Sequence, residues 1–156
     1  LLKRPTLQDF MLLSRRFAIQ SGLASQWAID VIEAVESEGG LASMVCADTI
    51  EDAARIARLR PNIVLVESPA LIGAGGRDET ARQEIARVNQ VVWEIDPRIR
   101  VLHGAGIQSG QDVYDVIAAG SQATGSTSGI ILAQDPAAKL DEMIHAVRSA
   151  WDDTHR

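Results

Sequence analysis

From about residue 41 onward the chain repeats one pattern, a short apolar run followed by a turn and then an amphipathic helical stretch. The runs fall at 41–46, 63–66, 101–103 and 123–124, and helical periodicity follows at 49–59, 79–95, 111–119 and 136–151. In the last of these, Leu140, Met143, Ile144, Val147 and Trp151 recur at helical spacing and are expected on a buried face. Short, near-continuous apolar strands alternating with helices predict a parallel sheet buried on both faces, because each crossover lays a helix on the sheet. The fold class is therefore α/β, with four parallel β/α units of a doubly wound or barrel type. In either type, chemistry sits at the C-terminal ends of the strands.

Two helices are expected before this series. Thr6 and Asp9 open one that ends at Ser21-Gly22, and a second covers about 25–36, with Trp27, Val31, Ile32 and Val35 on one face and Gly39-Gly40 as its stop. Arg15 and Arg16 are read as a solvated helix surface. At 156 residues, a single α/β domain is expected over 1–156, with a helical segment at 1–39 and a (β/α)4 unit at 40–156. The sequence opens on Leu rather than Met, as expected of either a trimmed chain or the ordered part of a longer polypeptide.

A net charge of −6 with scattered basic residues argues against nucleic acid or an anionic membrane as partner. No apolar run is long enough to span a bilayer. The single cysteine, Cys46, has no partner for an internal disulfide and no metal-ligand spacing beside it. A cytoplasmic setting without metal is the simplest expectation.

Three of the strand ends are chemically unusual. Glu67 terminates the run Ile63-Val64-Leu65-Val66, where partial desolvation would favour a proton acceptor; an ordinary acid capping a backbone amide fits as well. The residues after it, Pro69, Ala70, Leu71, Ile72, Gly73, Ala74 and Gly75, are small and apolar with glycine hinges. They suit a lid that excludes water, or a plain connection. Gly104-Ala105-Gly106-Ile107-Gln108-Ser109-Gly110 runs into a helix, so converging amides and the helix dipole suit an anion, although a tight turn reads the same way. The spacing misses the dinucleotide fingerprint, since Gly110 stands one position late. Gly125-Ser126-Thr127-Ser128-Gly129 offers a second set of amides and hydroxyls after the next strand.

Taken in order, Met44-Val45-Cys46, Val64 to Gly75, Val101 to Val113, Ser128-Gly129 and Asp135-Pro136 resemble the archaeal-type triosephosphate isomerases over about residues 40–150. The resemblance implies part of a (β/α)8 TIM barrel, with only about four units present, and a cofactor-free isomerase. Its reaction, a step of glycolysis and gluconeogenesis, interconverts dihydroxyacetone phosphate and glyceraldehyde 3-phosphate through an enediolate. It implies Glu67 as the base, 69–75 as the lid, and phosphate contacts from Gly73, Gly106, Ile107, Gln108, Ser109, Ser128 and Gly129. Partners would be a small phosphorylated sugar and either identical subunits or missing N-terminal strands that complement the half-barrel. Ser68, His103 and the polar run 124–127 depart from the family pattern, which leaves room for another substrate such as a tetrulose phosphate. The lysine, asparagine and histidine that polarise the carbonyl in that family have no counterpart in 1–39, and His103 lies at the wrong strand end to replace them. A catalytically incomplete phosphometabolite-binding half-barrel is the remaining alternative.

Overall fold

The structure, a computed structural model, describes residues 30, 32–34, 37, 42–67 and 79–155. Four strands form one sheet in the order β1-β2-β3-β4, every neighbour parallel: β1 Met44–Ala47, β2 Ile63–Val66, β3 Arg100–His103 and β4 Ala123–Thr124. They alternate with α1 Ile50–Ala57, α2 Glu79–Ile95, α3 Gly110–Ala118, a short α4 Ser128–Ile131 and α5 Pro136–Thr154. This is a parallel β/α series consistent with part of a TIM barrel. The helix expected from Thr6 to the break at Ser21-Gly22 and the lid at 69–75 lie outside the described residues. Of the helix expected at 25–36, residues 30 and 32–34 are described as helical, and Ile32 is buried in the core cluster that includes Val45, Ala47 and Ala53.

The helix starts follow from their caps. Thr49 Oγ1 accepts the Asp52 N–H at 3.1 Å and opens α1, while Ser109 and Asp112 form a reciprocal capping box on α3. Asp135 accepts the N–H groups of Ala137 and Ala138 at 3.0 Å, with Pro136 in the first turn where its missing N–H is harmless.

Burial along the strands differs from the two-sided burial expected. Val45, Ala47, Val64, Val66 and Val101 are buried beneath the helices with Ile56, Val88 and Val92. The alternate positions Cys46, Ile63, Leu65 and Leu102 are only half-buried, and Met44 is exposed. Successive side chains point to opposite faces. Helices cover one face here, and no described element covers the other.

The last helix corrects a second expectation. Of the five residues expected to be buried on α5, only Met143 is; it packs on α3 with Ala150, next to Val113, Val116 and Ile117. Leu140, Ile144, Val147 and Trp151 are exposed. Helical periodicity marked an apolar sector wider than its neighbours α3 and α4 cover.

Candidate active site

Parallel pairing sets the tops of the strands level. Leu65 stands beside Leu102 and Val66 beside His103, and the ladder continues beyond the strands with Glu67 N–H to Ala47 O at 2.9 Å and Gly104 N–H to Val66 O at 3.3 Å. Glu67 therefore stands next to Gly104, on the same sheet face as Leu65. The two turns at 104–108 and 125–128 join Glu67, Leu65 and Leu102 around one cleft of about 610 Å³. No Lys, Arg or His is among the described residues that line it.

Glu67 is exposed on this side. Among the described residues nothing covers it, because the face on which it stands is the open one. Burial first, and then the Glu67 and Asp48 carboxylates, push the thiol of Cys46 above its ordinary range. Cys46 is thus a protonated, poorly nucleophilic neighbour of the candidate base at neutral pH.

The phosphate loops were the other expectation, and here the structure divides the candidate donors. The N–H groups of Gln108 and Ser109 both go to Asp112 Oδ2, at 3.0 and 2.9 Å, and Ser109 Oγ joins them at 2.8 Å. Gly110 N–H goes to Glu142 Oε1 at 2.6 Å. A hydrogen bond from Lys139 and then the Gly110 amide hold the Glu142 carboxyl below its usual range. The N-terminus of α3 already carries two carboxylates of its own chain. The Gln108 and Ser109 amides, expected as phosphate donors, are here engaged by Asp112 and shape the loop. The capping-box spacing of Ser109 and Asp112 was the sequence signal that could have shown this.

The N–H groups of Gly106, Ile107, Ser128 and Gly129 find no acceptor among the described residues. Gly106 sits at φ 70, where a side chain is disfavoured. The two turns are fastened together: Ser126 Oγ donates to Ile107 O at 2.6 Å. A Cβ at Gly129 would lie 2.6 Å from both of those atoms, so only glycine allows this approach. Gly73 and the rest of the lid are outside the described residues.

His103 faces away from the cleft. It is buried on the helix side, with Nε2 3.0 Å from Asn89 Oδ1 on α2.

No protein-family model matches the chain. Among curated proteins it is 39% identical over 109 residues to the triosephosphate isomerase of Methanothermus fervidus, covering 69% of this chain and 49% of that one. The Methanosarcina barkeri enzyme of the same name is 38% identical over 111 residues, 70% of this chain and 50% of its own. That of Metallosphaera sedula is 37% identical over 116 residues, 73% and 50%. The chain is a partial match to the triosephosphate isomerase family. It spans about half the length of the triosephosphate isomerases it matches. Among solved structures, the Amycolatopsis orientalis BexX/CysO complex shares the fold with a TM-score of 0.58 at 16% identity, over 83% of this chain and 50% of that one. A nitroalkane oxidase from Streptomyces ansochromogenes does so with a TM-score of 0.52 at 20% identity, over 78% and 37%. At such identities the likeness concerns the fold alone. Among the described residues, no helix is long and apolar enough to cross a membrane.

Proposed function

We propose that this chain carries the proton-transfer base and the phosphate grip of a triosephosphate isomerase site. Glu67 takes a proton from the hydroxyl-bearing carbon next to the carbonyl of dihydroxyacetone phosphate and returns it to the former carbonyl carbon, while the hydroxyl proton passes to the former carbonyl oxygen, giving glyceraldehyde 3-phosphate with no net change in protons or electrons. The phosphoryl group is held by the amides of Gly106, Ile107, Ser128 and Gly129, and by Gly73 once the 69–75 lid closes. The observation that carries this reading is that Glu67 and both fastened amide turns line one cleft. Subunits pair as identical copies or with a complementary half.

One feature favours a second reading beside it. Enediolate chemistry needs donors that stabilise the developing oxyanion, and their removal typically costs about 3 to 4 kcal/mol of barrier for each donor. The described cleft offers no cation or imidazole for that task. The carbonyl-polarising groups are then supplied from the uncovered side of the sheet by another segment, and this chain alone binds the phosphorylated metabolite without turning it over.

Turnover of glyceraldehyde 3-phosphate and binding of inorganic phosphate, measured on the wild type and Glu67→Gln, test both readings. The expected result is turnover that falls about 10²- to 10⁴-fold in the variant, with phosphate binding kept. Unchanged turnover would remove Glu67 from its role. Phosphate binding by a wild type that shows no turnover would leave the binding reading.

A further inference from the structure

The carboxylate of Asp112 is buried beneath the first amide turn, 3% exposed, and one of its oxygens collects three donors from Gln108 and Ser109. We propose that Asp112 is a positioning residue for the phosphate grip: by drawing the 108–109 backbone onto itself, it presets Gly106 and Ile107 opposite Ser128 and Gly129. This inference rests on the phosphate-binding reading above.

The geometry gives the reason. Turning residues 108 and 109 toward Asp112 reverses the chain just after Ile107, and Gly106 supplies the left-handed conformation needed just before it. The carbonyl of Ile107 is then where Ser126 Oγ can donate to it, which brings the second turn within van der Waals reach at Gly129. Without Asp112 the two amides would turn toward water or toward an incoming anion, and the Ile107 carbonyl would lose its fixed place. An amide grip with no cation depends on such preorganisation, because each neutral donor is weak and must not have to be ordered during binding. An internal acid also reserves the helix terminus, so that a bound phosphoryl group is directed to the Gly106 turn and away from the start of α3.

Glu142 provides the contrast. It too accepts an N–H at the start of α3, that of Gly110, but it takes no hydrogen bond from Gln108 or Ser109, whose donors go to Asp112. A merely structural role for helix capping would make Asp112 and Glu142 variants alike.

The test measures inorganic phosphate affinity by calorimetry, together with thermal melting, for wild type, Asp112→Ala, Asp112→Asn and Glu142→Gln. Asp112→Ala is expected to weaken phosphate binding about tenfold or more at temperatures where its circular dichroism is native. Asp112→Asn, whose amide oxygen still accepts, should recover part of the loss. Glu142→Gln should lower the melting temperature and leave phosphate affinity at the wild-type value. Wild-type affinity in folded Asp112→Ala, or equal losses in the Asp112→Ala and Glu142→Gln proteins, overturns the positioning role alone. Absence of phosphate binding by the wild type overturns both it and the reading on which it rests. If Asp112→Ala does not fold, the comparison of Asp112→Asn with Glu142→Gln decides by the same criterion.

Discussion

The Glu67 carboxylate lies against the Cα of Gly104, so close that a methyl group there would stand 3.3 Å from Oε1 and 3.4 Å from Leu65 Cδ1. Gly104 is not in a left-handed conformation. Its lack of a side chain therefore serves the neighbouring carboxylate more than the backbone. Gly104→Ala should leave stability within about 1 kcal/mol, since the contact is tight and the carboxylate is free to move. It should nevertheless displace the base and lower turnover by up to about 10². Steady-state kinetics beside a melting curve decide it: full activity with an alanine at 104 would mean that Glu67 does not work from the observed position.

Two adjacent residues of α5 test which of its faces is packed. Met143 is 6% exposed and touches the α3 cluster, whereas Ile144 is 57% exposed. Met143→Ala is expected to cost about 2 to 5 kcal/mol, and Ile144→Ala no more than about 0.5 kcal/mol. Urea denaturation of the two variants reads the difference. Equal costs would show that another surface covers Ile144 in solution.

Asp96 provides a pH dependence of known sign. Hydrogen bonds from the Arg98 side chain and backbone lower its carboxyl from 3.8 to about 2; the contacts are 2.7 to 3.0 Å. A carboxyl depressed by folding adds stability above its unfolded value, and that stability is lost as pH falls through the folded one. Wild type should thus be more stable than Asp96→Asn above about pH 4, with the gap closing toward about pH 2. Chemical denaturation at pH 6, 4, 3 and 2 measures it. A gap that does not change with pH would rule out the ion pair as its source.

Much of the architecture could be read from the sequence. β2 at 63–66, α2 at 79–95 and β4 at 123–124 lie where the apolar runs and helical periods put them. The beginnings of α1 and α3 follow from Thr49 and Ser109, since a cap is a short-range bond between residues three apart. The short turn of α4 at Ser128–Ile131 was not anticipated, because four residues carry no period. Homology over about 70% of the chain to archaeal triosephosphate isomerases agrees with the family read from its motifs.

What the sequence by itself determined was local: the order of strands and helices, the caps, and which residue types end each strand. Tertiary structure alone decided how those residues are used. It placed Glu67 on an open sheet face, sent the Gln108 and Ser109 amides to Asp112, and left Ile144 and Trp151 exposed while Met143 was buried. The physical reason is that periodicity and caps arise between near neighbours in the chain. Exposure and hydrogen-bond partnership depend on what stands across the gap, and a glycine-rich turn offers its amides equally to a substrate anion or to a carboxylate of its own chain.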